Sequence, residues 1–557
     1  MLATASAPAP RFRAWEALGL VVFSLALNLA GNGRTSLWDR DEPRYAECTR
    51  EMRVSGDWVR PRFNGEPRYQ KPILIYWVML AGTALAGDNP YGARLGSAIA
   101  GAASCLLCFL MGCRMFGPRV GRIAALVLAT APIVVVNSKL ATTDACLALT
   151  ILGCQFALWT LSRRPSTFAA MAFWTCLALS TLLKGPVGPA MIVAAGVVSW
   201  ACGGPTSYLG RLRWRWGLIL FVVLTAPWFV AIAIASRGEF YRVAIGSQVI
   251  QRLSTEMEQH GGFPGYYPAT TVLAFYPWSA LLPAALVAGF VRRKKDPTLG
   301  FLLGWAIGPM ILLECVRTKL VHYYLPSYPA CAMLVATLVA AVADSERNLR
   351  RWPLGRMATG LLAGLGLTLV VLAMGGAIVL PWSLKGPCLA LAVVLGAGTL
   401  FAAEWFRSGQ AERATLGLAG TWAAALGIMW AWMLPAVEPY RMSPRVARTL
   451  STLAKREHAR PMLAMFQEPS MIYALGSPMP VMRDRPWLLD ILSVDRAVVV
   501  PVCEKEKAIL AANPLIVLSS LGHVSGFNLN KGRSETLEMI LIHAAAPAIA
   551  RRPTLRR

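Results

Sequence analysis

The chain has 557 residues, 56% of them hydrophobic and only 15% charged, with a formal net charge of +26. A soluble domain of ordinary composition carries about 25% charged residues, so a soluble globular chain is excluded and a polytopic α-helical membrane protein is expected. The excess of Lys and Arg would suggest nucleic acid in a soluble chain. Here much of it lies in short connections between apolar runs, where it sets topology, and no nucleic-acid partner is expected.

Arg11 and Arg13 precede an apolar run over residues 14–31. Gly-Asn-Gly-Arg follows it instead of a small-residue cleavage site, so the run reads as an uncleaved first span. A crossing needs roughly 20 apolar residues. Further spans are predicted at 94–113, 120–136, 145–161, 168–183, 187–202, 216–235, 270–291, 299–315, 324–342, 357–380, 388–405 and 416–434, thirteen in all with the first. The run 72–87 is not counted. Leaving it out places the basic connections, such as Arg163–Arg164 and Arg292–Lys295, together on the cytoplasmic side, as the positive-inside rule requires. It reads as an interfacial or re-entrant helix.

With that topology the polar connections at 32–93, 137–144, 184–186, 236–269 and 317–323 all face the opposite side. The expected domains are a transmembrane portion over 1–437 and an extracytoplasmic domain over 438–557. The latter alternates strand-like runs (462–466, 497–502, 515–519, 539–543) with helix-like ones (469–475, 487–492, 504–512), which indicates a small α/β fold. It has no glycine-rich phosphate loop. The 12 Cys lie mostly in apolar runs, Cys105-Leu-Leu-Cys108 included, so they read as small buried hydrophobes and not as metal ligands.

The candidate chemistry lies on that outer face. Trp38-Asp39-Arg40-Asp41-Glu42-Pro43-Arg44-Tyr45-Ala46-Glu47 looks like a helix start, with Asp41 able to cap and Pro43 tolerated in the first turn. Arg44, three residues on, falls beside Asp41, and Glu47 one further turn along. The spacing suits a capped surface helix as well as a carboxylate with a phosphate-steering Arg at a lipid boundary. Lys71 opens the interfacial helix at headgroup depth, where snorkelling is the plainer account. Asp144 precedes an apolar run and reads first as an N-cap, and Lys184 as an outward turn charge. Arg317, Lys319 and His322 with Tyr323 and Tyr324 make a candidate phosphate cradle. Glu256 and His260 stand four apart, a metal-ligand spacing that supplies two ligands where a site needs three or four.

Taken together these segments resemble lipid-carrier-dependent glycosyltransferases of the GT-C type, the superfamily of protein O-mannosyltransferases, and more closely the bacterial aminoarabinose transferases that modify lipid A. The residues that carry the resemblance are Asp41-Glu42-Pro43-Arg44-Tyr45-Ala46-Glu47, Gly56-Asp57-Trp58, Gln70-Lys71-Pro72, Leu183-Lys184-Gly185-Pro186, Pro227-Trp228 and Lys319-Leu320-Val321-His322-Tyr323, in family order. Those transferases usually have Thr at Pro43 and Glu at Gln70.

The resemblance implies a donor of 4-amino-4-deoxy-L-arabinose on undecaprenyl phosphate and a lipid A phosphate acceptor. Transfer would occur on the periplasmic side of the bacterial inner membrane, by a monomer embedded in the lipid bilayer. It also implies Asp41 as the catalytic carboxylate, with Asp144 a second functional acid. Arg44 and Lys71 would hold donor phosphate. Glu47, Lys184, Lys319, His322 and Tyr323 complete the expected substrate site. No cofactor is firmly implied, and a divalent metal is left open. Two other readings differ in acceptor or class. One is the same fold acting on protein or another glycan; the other is a lipid or sugar transporter, which would place charges near span centres.

Overall fold

The computed structural model describes residues 13–244, 246, 262–344, 353–464, 466–476, 478–481 and 497–545. The chain forms two compact units, one of Met1–Asn32 with Tyr69–Met433 and one of Gly33–Arg68 with Leu434–Arg557.

The first unit is a bundle of apolar helices whose starts are written in the sequence. Asn89 caps Pro90–Phe116 by accepting from the Gly92 N–H, Ser166 caps Thr167–Lys184 through Ala169, and Asp296 caps Pro297–Glu314 through Thr298. Pro90 and Pro297 stand in the first turn, where a missing N–H costs nothing. Among the described residues nine helices are long and apolar enough to cross a membrane, or ten if Pro118–Ala129 and Pro132–Ser138, bent by 64° at Pro132, form one span. Three expected spans depart from that length. Ala14–Leu29 and Val187–Ala201 are short, and the run 270–291 breaks into Tyr266–Ala274 and Leu282–Arg292 around Pro277. The uncounted run 72–87 is a 13-residue helix, Leu74–Ala86, about 20 Å long and too short to span upright.

Burial separates inner helices from lipid-facing ones. The segment Val321–Asp344 has 89% of its apolar window buried, Pro353–Val379 only 11%. Small residues permit the closest crossings. A Cβ on Gly112 would meet the Gly121 Cα at 2.8 Å, so the helices 90–116 and 118–129 touch backbone to backbone there.

The second unit holds a four-stranded sheet in the order Arg460–Pro461, Val498–Val502, Arg533–Ala544, Ile516–Asn528. The first pair is parallel and the others are antiparallel, the last two strands forming a long hairpin with a bulge between Ser520 and Gly522. Met442–Arg456 packs its Val446, Leu450 and Leu453 against this sheet. The predicted helix at 487–492 lies outside the described residues; the strands near 497–502, 515–519 and 539–543 are present.

Residues 33–68, expected in the membrane portion, group with residues 434–557 instead. The helix Asp41–Ser55 is too polar to enter lipid, yet it buries Tyr45, Ala46, Cys48 and Met52. Arg50 donates to the Tyr473 carbonyl at 2.8 Å, and Asn64 exchanges hydrogen bonds with the Met479 backbone.

Candidate active site

In the first unit the helices Asp144–Arg163 and Thr167–Lys184 have 20 and 18 residues and are joined by a short turn. Matched lengths bring the start of one beside the end of the other. Asp144 is therefore at a helix N-terminus and Lys184 at a C-terminus, each with the charge its helix dipole favours. Lys184 Nζ donates to Asp144 Oδ1 at 2.6 Å, and both side chains are 9% exposed. This overturns both plain readings. Thr143, not Asp144, occupies the cap position, and Lys184 is no solvated turn charge.

Other connections supply the remaining groups. His322 Nε2 is 3.8 Å from the second Asp144 oxygen, and Lys71 also acts electrostatically on that carboxylate. The Lys184 ammonium lies 4.7 Å from the centre of the Tyr323 ring, and His322 meets the same ring edge to face at 5.0 Å. Four chain segments thus converge on one acid. Two lysines against one aspartate leave a net positive charge. Beside Val321 lies an apolar groove of about 320 Å³, walled by Pro132, Ile133, Val136, Thr270, Leu273 and Ala274.

The expected cradle at 317–324 does not hold together as one site. Lys319 is buried and bonded to Glu314 and to the Phe263 carbonyl, while Glu314 also accepts from the Gly265 and Tyr267 N–H groups. It ties a loop to the start of the helix Tyr266–Ala274. Tyr324 points into the core and donates to the Ala306 carbonyl. Arg317 lines a separate cavity of about 280 Å³ with Glu314 and Lys319. Only His322 and Tyr323 join Asp144. Glu256 and His260 lie outside the described residues, and among those described no three His, Cys, Asp or Glu side chains gather as a metal would need.

The second unit carries Asp41, Arg44 and Glu47. The helix begins at Asp41, so this residue stands inside the first turn and does not cap it; Arg40 holds the cap position, and its side chain makes no capping bond to the helix. Asp41 faces Arg44 at 3.9 Å and is 60% exposed. Glu47 is fully buried and paired with Arg50, which makes it a structural anchor in this unit. Asp39 accepts from the Ser470 N–H at 2.8 Å and from its hydroxyl. Burial pushes the Asp39 carboxyl above its ordinary value, against the pull of Ser470 and of the Arg441 and Arg44 charges. Glu468 is raised as well, by burial and by the Asp39 charge.

Two buried cations carried no functional signal in the sequence. Lys139, read as part of a polar connection, is fully buried and donates to the Asn28 and Ala30 carbonyls and to Asn32 Oδ1. Arg94, read as the start of a span, donates to the Asn32 carbonyl at 2.7 Å. Together they satisfy the carbonyl end of the first helix, which has no basic residue of its own in its last turn. A basic residue within an otherwise apolar run was the available sign.

A multi-pass helical membrane bundle with a cationic cluster at its helix ends defines the class, and comparison with known proteins places it. The structure of ArnT from Cupriavidus metallidurans bound to undecaprenyl phosphate superposes with a TM-score of 0.75, covering 95% of this chain and 98% of that one at 20% identity. An archaeal oligosaccharyltransferase from Archaeoglobus fulgidus, tethered to an acceptor peptide, follows at 0.51 over 88% and 69% with 11% identity. The chain therefore shares its fold with these membrane proteins.

In sequence, residues 13–239 match the family described as dolichyl-phosphate-mannose-protein mannosyltransferase. The undecaprenyl phosphate-alpha-4-amino-4-deoxy-L-arabinose arabinosyl transferase of Edwardsiella ictaluri is 30% identical over 364 residues, 63% of each chain. Its counterpart in Pectobacterium carotovorum is 28% identical over 371 residues, 65% of each. The match spans just under two thirds of these relatives' length. The resemblance first seen in short motifs extends over 364 aligned residues.

Proposed function

We propose that this chain is an integral-membrane glycosyltransferase that moves 4-amino-4-deoxy-L-arabinose from undecaprenyl phosphate to a lipid A phosphate. The observation that carries the reading is the cluster at Asp144, where Lys184 and His322 meet the carboxylate at the ends of membrane helices, with the charge of Lys71 also acting on it, beside an apolar groove. A lipid-linked phosphate needs both environments at once. The names of the relatives supply the sugar and the carrier. Thirteen spans, a periplasmic active face and an inner-membrane location belong to the same proposal, supported by the distribution of basic connections.

In the reaction the bond from the sugar's anomeric carbon to the carrier phosphate breaks, undecaprenyl phosphate leaves, and an acceptor phosphate oxygen bonds to that carbon. Lys71 and Lys184 gather the charge growing on the leaving phosphate. Such preorganised donors are worth about 3 kcal/mol each, roughly a hundredfold in rate. An acceptor that is already ionised needs no base, so Asp41 is assigned to the developing positive charge of the sugar.

The test is transfer by the purified protein from synthetic undecaprenyl phosphate-aminoarabinose to lipid A, followed by mass spectrometry for an added pentosamine. Product that is lost in Asp41→Asn supports the reading. No product from folded protein refutes this donor and acceptor, and sugar transfer to a peptide or glycan would replace them.

A further inference from the structure

Residues 33–40 lead to the helix that starts at Asp41 and contain no helix or strand. Their backbone groups must therefore find partners elsewhere. They find them more than 400 residues along the chain. The Glu438 carboxylate accepts from the Ser36 N–H at 3.1 Å. The Arg441 guanidinium donates to the Ser36 hydroxyl at 2.6 Å, the Leu37 carbonyl at 2.9 Å, the Ser36 carbonyl at 3.3 Å and Glu438 at 2.9 Å. It also lies over the Trp38 ring, 4.3 Å from its centre. The Trp38 N–H in turn donates to Glu42, the second residue of the helix, at 2.8 Å. On the other flank Ser470 holds Asp39.

Arg441 is itself fixed. It is 3% exposed, its backbone bridges Phe527 of the hairpin, and Met442 begins the next helix. Gly526 allows this approach, because a Cβ there would meet the Met442 Cα at 2.8 Å. A planar fork that binds two successive residues and stacks on a third cannot be replaced by a lysine.

We infer that Arg441 is a positioning residue for the transfer reaction, setting the first turn of the helix that carries Asp41 and Arg44 by clamping residues 36–38. This rests on the proposed role of Asp41. It also gives the C-terminal segment a task, which is to hold the catalytic helix start in register.

The test is a double-mutant cycle on the full-length protein, with rates normalised to folded enzyme. Arg441→Lys keeps the charge and loses the fork. It should lower kcat about 10–100-fold, the range a misplacement of about 1 Å produces. In an Asp41→Glu background, where the carboxylate is already displaced, the same substitution should cost much less, because the two residues act through one geometry. Losses that simply multiply would overturn the inference, as would wild-type turnover in Arg441→Lys. If Arg441→Lys does not fold, Ser470→Ala on the opposite flank decides: a lowered kcat in folded enzyme supports the clamp and an unchanged one overturns it. Full activity in Asp41→Asn would instead remove the proposed role of Asp41, a result separate from either arm.

Discussion

Lys184→Met should cost stability that a second substitution returns, without returning activity. Lys184 and Asp144 are 2.6 Å apart and 9% exposed. At an effective dielectric of about 20, unit charges at that distance attract by ~6 kcal/mol, much of which offsets their desolvation. Removing one partner of a buried pair costs about 3–5 kcal/mol, because the other charge is stranded. Here Asp144 still faces His322 at 3.8 Å and the charge of Lys71, so the low end, ~3 kcal/mol, applies. In Asp144→Asn with Lys184→Met both charges are gone, and most of that loss should be recovered. Unfolding of the two variants in detergent, followed by circular dichroism, measures the difference, and sugar transfer is assayed on the same preparations. If the double variant is no more stable than Lys184→Met, ion pairing is not what holds these helix ends. If it regains transfer along with stability, the pair is scaffolding and the leaving phosphate is stabilised elsewhere.

Three further outcomes are expected. Lys71→Ala removes one donor to the charge growing on the leaving phosphate, worth about 3 kcal/mol, so kcat/KM for the lipid-linked donor should fall roughly a hundredfold in steady-state kinetics; an unchanged kcat/KM reduces Lys71 to a snorkelling residue. Glu468 has its folded value raised by burial and by Asp39, so it binds its proton more tightly folded than unfolded. Its contribution is complete below the ordinary glutamate value of about 4.3 and lost as pH rises through the raised one. Glu468→Gln should therefore raise Tm at pH 7 and converge on the wild type near pH 4, and a constant difference across that range would contradict this. Single cysteines at Asp88 and Arg164, in a background lacking the exposed Cys315, should be labelled by an impermeant reagent from opposite sides of the membrane. Same-side labelling would break the thirteen-span topology.

The bundle was legible because a bilayer enforces one pattern. Apolar runs of about the right length, ended by Pro, Asn or Ser, can only be helices. The convergence of Lys71, Asp144, Lys184 and His322 followed from the same topology, since it placed their connections on one face. Their pairing was not legible. Asp144 before an apolar run looks like any N-cap, and only the matched lengths of two helices bring it to Lys184. The 317–324 run misled for the opposite reason. Lys319 precedes the 3-10 helix Val321–Ser327, within which His322 and Tyr324 point in different directions, so Lys319, His322 and Tyr324 reach three different environments. Arg441 was invisible because its partners at residues 36–38 are about 400 residues earlier and include two backbone carbonyls, which no side-chain motif records.

The Asp144 arrangement also answers a problem that any lipid-phosphate site meets. A lysine at a membrane boundary is expensive to bury alone, and two facing each other without an anion would lower one another's charge. A resident carboxylate offsets the cost of burying the Lys184 ammonium and orders it ahead of the proposed lipid phosphate. The cost is a weaker field, because part of that charge is already engaged. His322 and Tyr323 limit the cost, since the ring of Tyr323 and the imidazole hold the ammonium and carboxylate from the side and leave the lysine's remaining N–H groups for a ligand. In the proposed reaction the pair is thus preorganised, with the carboxylate standing in for the phosphate of the lipid-linked donor until it binds. By this logic Asp144→Asn should tighten binding of undecaprenyl phosphate itself while slowing turnover, because the released carrier would then be held more firmly than the donor. Equilibrium binding of the free carrier to Asp144→Asn measures it, and weaker binding than wild type would show that Asp144 organises the lysines more than it competes with the phosphate.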